Sequence, residues 1–207
     1  MLIEDLDVVR NVLDEIGIVN VKDEDLEKFS EVYDIVTIGN DILRNKNEDV
    51  VLSDEIIVYI ANMVNSLYYW DGCGIAAPQV GRNLNMFAVK VISLDENDEQ
   101  YEELPLTIYI NPKIIEYSED TSWDYEGCLS VPGYDAKVER SNSIVIEYMD
   151  IAGEMHKEKY EGFCARAIQH EYDHLKGIIY TDKADMTTFT TRENLVDKIE
   201  NASKEES

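Results

Sequence analysis

Gln169-His170-Glu171-Tyr172-Asp173-His174 is the stretch whose reading decides what kind of molecule this is. On a helix, positions i and i+4 project from one face, so His170 and His174 can both reach a single metal ion. Glu171 lies between them, close enough to exchange protons with a water on that metal. The surroundings favour a helix. Phe163 through Lys176 holds neither proline nor glycine, and Gly177 stands where a C-terminal cap belongs. Ala165, Ile168, Tyr172 and Leu175 would face the core, while Ala167, His170 and His174 share a neighbouring face. Two histidines on a helix can simply be satisfied by hydrogen bonds. A carboxylate at this spacing points instead to metal-assisted hydrolysis.

Catalytic sites of this type take three protein ligands and leave a fourth position for water. One protease pattern continues to a third histidine, but Tyr180 occupies that place. A second uses a downstream glutamate on a later helix, and Glu193-Asn194-Leu195-Val196-Asp197 satisfies that spacing. The third candidate is Cys128, within Glu126-Gly127-Cys128-Leu129-Ser130, where the neighbouring glycine permits close backbone approach and a thiolate suits a borderline metal. Spacing alone leaves Glu193 and Cys128 both open. Upstream, Gly72-Cys73-Gly74-Ile75-Ala76-Ala77-Pro78-Gln79-Val80-Gly81 is rich in small residues, yet lacks the Lys-Ser/Thr of a phosphate-binding loop.

The glycine-rich block ending at Gln79, the Glu-Gly-Cys-Leu-Ser block and the histidine block follow one another in an order that resembles the peptide deformylase family. The resemblance runs from about Ile38 to Asp182. It includes Ile42-Leu43-Arg44 near its start, and Val131-Pro132-Gly133 with Val138-Glu139-Arg140 after the second block. It implies an enzyme that hydrolyses the N-formyl group from the initiator methionine of nascent chains, releasing formate. Cys128, His170 and His174 would then be the metal ligands. Glu171 would carry the proton, and the Gln79 side-chain amide with the Leu129 backbone N–H would stabilise the oxyanion. Gly74 and Gly127 would border the substrate backbone, and Arg166 and Ala167 the methionine pocket. The Arg166 stem would line that pocket with its charge left in water. The resemblance favours iron(II), with zinc, nickel or cobalt able to replace it. Arg140 is expected to pair with Glu126 and orient the cysteine loop. Lys183 follows Asp182 where the family often has arginine.

The rest of the chain bounds these expectations. At 207 residues one catalytic domain is expected, over 35–184, flanked by an acidic helical extension at 1–34 and an acidic, partly helical tail at 185–207. The expected fold is α+β, with antiparallel sheets packed around a central metal-binding helix. Ile56, Ile60, Met63, Val64 and Leu67 predict a helix over 54–69. Strands are predicted over 86–94, 106–110, 138–139, 143–149 and 155–160, with a hairpin turn at Asp150-Ile151-Ala152-Gly153. In the extension, Leu6, Val9, Val12, Leu13 and Ile16 predict one amphipathic helix, and Leu26, Phe29 and Val32 a second. A helix is also predicted over 193–202.

No apolar run approaches the ~20 residues that a membrane span needs. The acidic opening residues and three cysteines without paired spacing suggest a cytoplasmic protein. Cys73 and Cys164 are expected to be packing residues. A formal charge of −26 opposes stable nucleic-acid binding. Acids at 95, 96, 98, 99, 102 and 103 form an uncompensated acidic loop. Some family members contact the ribosome through a basic C-terminal helix. Here residues 182–207 carry seven acids against four bases, which does not support that contact.

Overall fold

The computed structural model describes residues 1–92 and 103–205; most of the acidic loop at 95–103 therefore lies outside the described residues. Among the described residues four α-helices, α1 (Leu6–Glu15), α2 (Asp54–Tyr69), α3 (Gly162–Leu175) and α4 (Arg192–Glu205), accompany two antiparallel sheets. The larger sheet has the order β1-β2-β3-β6-β7, built from Gly74–Ala76, Met86–Val91, Leu104–Tyr117, Ser143–Met149 and Met155–Glu161. The smaller has the order β4-β5-β8, from Thr121–Cys128, Val131–Ser141 and Asp185–Thr191. Helix α3 packs against β1, β2, β6 and β7 of one sheet and β5 of the other. The α+β architecture around a central helix is as expected.

Local chemistry explains most boundaries. Helix α2 begins where the Ser53 hydroxyl accepts a hydrogen bond from Ile56 N at 3.3 Å, with Asp54 and Glu55 in the first turn against the positive helix end. Helix α3 ends as predicted: Gly177 adopts φ +71°, and a side chain there would also press on the Arg44 carbonyl. The β6–β7 hairpin turns at 150–153, closed by Gly153 N donating to Asp150 O at 3.1 Å.

Several expectations need correction. Strand β3 does not stop at Ile110. Pro112 and Asn111, the latter at φ +51°, form an irregularity in the pairing, and the strand resumes at Lys113. Strand β4 went unpredicted because it buries only Glu126 and Cys128, and half of its residues are exposed. Strand β8 lies inside the stretch read as a tail, yet it pairs with β5 and so completes the smaller sheet. The second extension helix is only a 3-10 segment, Asp23–Phe29; Val32 is buried beyond it, outside any helix.

The extension nevertheless joins the core. Val9, Val12 and Leu13 of α1, with Ile16 just past its end, pack in one cluster with Ile60, Met63, Val64 and Leu67 of α2. Three polar side chains of α2 hold the segment that follows. Asn62 accepts from Glu31 N and donates to Lys28 O, both at 3.1 Å, and Asn65 donates to Phe29 O at 2.6 Å. Ser66 accepts from Tyr33 N at 2.8 Å. These groups are buried, so each leaves an unpaired partner if removed. Asn62→Ala should therefore lower unfolding stability by about 1–3 kcal/mol in urea titrations. Hydrogen exchange should quicken at 28–33 first. An exchange pattern like the parent's would mean that apolar contacts alone hold the segment.

Candidate active site

The site forms where α3 meets the ends of both sheets. Cys128 closes β4, and its register slips there so that Cys128 faces Val131 across a tight turn. Cys128, His170 and His174 bring ligand atoms together within 4.8 Å of one another, all three buried. The Cys128 sulfur lies 3.3 Å from His174 Nε2, and the two imidazole rings are 5.2 Å apart, nearly perpendicular. His170 Nδ1 is 2.9 Å from Glu126 Oε2, which assigns its proton to that nitrogen and leaves Nε2 free on the other side. A carboxylate behind a ring nitrogen is how metal-ligating histidines are usually oriented.

The electrostatics suit a cation. Burial opposes ionisation of the Cys128 thiol, but the His174 and His170 imidazoles outweigh it and hold the thiol well below its ordinary range. A site that stabilises positive charge beside a thiolate can take a divalent ion in place of the imidazole protons. Among the buried side-chain atoms, Glu171 Oε2 and His174 Nδ1 have no hydrogen-bond partner. An orphaned carboxylate oxygen beside three convergent soft and borderline donors fits a metal with a water to be deprotonated. Burial pushes the Glu171 carboxyl up to about 7, against the pull of both imidazoles. That value suits proton exchange near neutral pH.

Glycines make room for this arrangement. A methyl on Gly74 would overlap the Glu171 carboxylate, so the glycine is required by the glutamate as well as by any approaching ligand. Gln79 is almost wholly buried; its Oε1 accepts from Ala76 N at 2.8 Å, which turns Nε2 toward the Cys128 sulfur at 3.4 Å and Ser130 Oγ at 3.3 Å. The chain at 36–38 stitches the two loops together: Val36 N donates to Gln79 O and Ile38 N to Ser130 O, each at 2.8 Å.

Behind the ligands, Glu126 collects four donors. Arg140 Nε and Nη2, Arg166 Nη1 and His170 Nδ1 all lie 2.9 Å from its two oxygens. Burial would raise this carboxyl, yet the Arg140 and His170 hydrogen bonds hold it well below the usual carboxylate range. The expected Arg140–Glu126 pair is present. The expectation for Arg166 is overturned: its guanidinium is buried rather than in water, donating also to Val138 O and Ser122 O at 2.9 and 2.8 Å. The buried Glu126 charge draws it inward, although Arg166 still borders the cavity. Lys183 pairs with Asp173 at 2.7 Å, and Asp173 in turn accepts from Arg140.

A cavity of about 730 Å³ opens over the site. Gly74, Gly127, Leu129, Ala167 and Glu171 all line it. Sequence reasoning missed several other lining residues, among them Ile35, Trp70, Phe163 and Arg192. No motif contains them; they come from the segment just after the extension, two helix ends and the tail. Cys73 borders the cavity and is exposed, whereas Cys164 is buried in the core as expected. Glu193 does not line the cavity and is not part of the Cys128, His170 and His174 cluster. Tyr180, where one protease pattern needs a histidine, instead lies face to face with the His170 ring at 6.2 Å and donates to Tyr134 O. His156 sits apart on the β6–β7 hairpin, paired with Asp150 at 2.6 Å.

Comparison with known proteins agrees with this geometry. The profile described as polypeptide deformylase matches residues 32–189. A peptide deformylase of Dictyoglomus thermophilum is 38% identical over 163 residues, covering 78% of this chain and 99% of that protein. The crystal structure of peptide deformylase from Thermotoga maritima superposes with a TM-score of 0.66 at 33% identity, covering 75% of this chain and 99% of that one. A Met-Ala-Ser-bound class I type b peptide deformylase from Acinetobacter baumannii gives a TM-score of 0.68 at 31% identity, over 73% and 98% of the two chains. With fold, order of motifs and nearly the full length of these relatives in common, the chain belongs to the peptide deformylase family, the metal-dependent hydrolases that remove the N-formyl group from nascent peptides.

Proposed function

We propose that deformylation in this chain is carried out at the Cys128–His170–His174 cluster, with Glu171 as the proton carrier. The observation that carries this reading is the convergence of a buried sulfur and two ring nitrogens beside a carboxylate oxygen that nothing else occupies. The three ligands would hold one divalent ion, which when bound supplies Lewis acidity toward a water and the formyl oxygen. Glu171 takes the proton of the attacking water and later delivers it to the departing amine. Gln79 Nε2 and the Leu129 N–H donate to the oxygen that becomes negative as the formyl carbon turns tetrahedral. Gln79 is held for this by its bond from Ala76 N, so donation to the oxyanion needs only the exchange of one Nε2 contact, to Cys128 or Ser130, for the new acceptor.

Gly74 and Gly127 border the path of the substrate backbone, and the stem of Arg166 with Ala167 borders the methionine side chain. The Met-Ala-Ser bound to the Acinetobacter relative has the form of a deformylated product, which supports a methionyl N-terminus as occupant here. Two imidazoles and a thiolate suit iron(II), zinc, cobalt or nickel, and iron(II) is our assignment from the family resemblance. Three cysteines without a disulfide, one of them the thiolate ligand, favour a reducing compartment, the cytoplasm. The excess of acids over bases at 182–207 argues against a stable ribosomal RNA contact. No helix among the described residues is long and apolar enough to cross a membrane. Residues 1–34 serve as a buttress on α2, residues 35–184 carry the chemistry, and residues 185–192 add a strand to the smaller sheet and bring Arg192 to the cavity.

Protein purified anaerobically with iron or nickel should release formate from formyl-Met-Ala. Glu171→Gln should keep one equivalent of metal while kcat falls by about 10²–10⁴; substantial turnover in that variant would rule Glu171 out as proton carrier. For the ligand set, Cys128→Ser should weaken metal binding at least about tenfold in competition with a chelator. Glu193→Gln should leave binding and turnover alone, and the opposite pattern would favour a protease-type site. Gln79→Ala should lower kcat by about 10²–10³ with little change in KM, so a loss confined to KM would remove Gln79 from oxyanion stabilisation.

A further inference from the structure

The cavity wall carries a cation that the chemistry above leaves unused. Arg192 begins α4 and lines the same cavity as His170 and Glu171, with its side chain 59% exposed. Its Nε and Nη2 donate to Asp135 Oδ2 and Oδ1 at 3.2 and 3.1 Å, a two-pronged pair. Nη1 has no hydrogen-bond partner among the described residues. Asp135 is itself buried on β5, so the guanidinium is held from behind by a fixed carboxylate. Both groups close over Gly127, where an added methyl would overlap Nη2 and Oδ1. Gly127 immediately precedes the metal-ligand candidate Cys128.

The charge around it sharpens the contrast. Asp34, Asp71, Glu126 and Glu171 also line this cavity, in a chain of net charge −26. The other cavity-lining arginine, Arg166, is buried and committed to Glu126 and two backbone carbonyls. Arg192 is thus a preorganised, exposed donor on an otherwise acidic wall. Its Nη2 abuts the Cβ position of Gly127, the residue next to Cys128, and an extended peptide advances ~3.3 Å per residue. A peptide with its formyl end at Cys128 therefore brings its second or third residue within reach of Nη1.

We propose that Arg192 is a specificity-determining residue that donates from Nη1 to a main-chain carbonyl of the substrate downstream of formyl-methionine. This rests on the site assignment made above. The acceptor is the carbonyl rather than a side chain because it is common to every nascent sequence. Arg192 would then favour chains with several residues over formyl-methionine alone, and Asp135 would act by holding the guanidinium in place.

The test compares the metal-loaded enzyme with Arg192→Ala and Arg192→Lys, using formyl-Met amide and formyl-Met-Ala-Ser amide. The ratio of kcat/KM for the longer to the shorter peptide should fall about tenfold in Arg192→Ala, through KM. Arg192→Lys, which keeps a charge for Asp135 but loses the fork, should give an intermediate ratio, and it serves if the alanine variant does not fold. A loss equal for both peptides would reduce Arg192 to a prop for the Gly127 loop and overturn the proposal. So would an unchanged ratio. A loss seen only with formyl-Met-Ala-Ser as the free acid would mean recognition of a terminal carboxylate, which also overturns it. Failure of the parent enzyme to release formate from either peptide would instead overturn the functional reading beneath it.

Discussion

A single buried carboxylate organises this molecule. Glu126 is 7% exposed and accepts from Arg140, Arg166 and His170, so both of its oxygens are saturated. Those partners belong to β5 and α3, while Glu126 itself is on β4. The pairing therefore joins the smaller sheet to the central helix at the point where the imidazole must be oriented. Taking a carboxylate out of water is costly unless its charge is met by well-placed donors. Four donors at 2.9 Å meet it, and the same contacts fix which nitrogen of His170 carries the proton. Arg140 and Lys183 extend the network through Asp173, one residue before His174. Stability and ligand geometry are thus one set of contacts here rather than two.

The second constraint is steric. Gly74 lies against the Glu171 carboxylate and Gly127 against the Asp135–Arg192 pair, so both strands that flank the cavity come close to groups that carry charge. The extension and the segment after it finish the enclosure. Backbone bonds from Val36 and Ile38 hold the Gln79 and Ser130 loops together, and Ile35 reaches the cavity wall. Residues far from any motif thus complete the walls of the site.

The histidine helix was legible because its signal is local. His170, Glu171 and His174 share spacing, Gly177 marks the stop, and the apolar positions match the helical period. Helix α2 was legible for the same reason, and β6 and β7 because a hairpin turn lies between two runs of the right length. Cys128 was only one of two candidate ligands until its motif was set beside the others. Strands β4 and β8 were not legible, since β4 buries only Glu126 and Cys128 and β8 buries no residue; they exist because β5 offers them a partner. Arg166 was misread because a solvated cation and a buried one look alike in sequence. What distinguishes them is whether a carboxylate waits at the end of the side chain.

From the residues alone came the helix, its metal-binding face, the order of the three motifs and the family they resemble. All of these depend on spacing along the chain, which sequence records directly. Only the folded molecule decided that Glu126 would gather Arg140, Arg166 and His170, that Glu171 would leave one oxygen unpartnered, and that Arg192 would return from the tail to the cavity wall. Those outcomes depend on which buried charges meet across separate strands and helices. Coulomb attraction in a poorly hydrated interior acts through distance in space, and the linear chain carries no record of it.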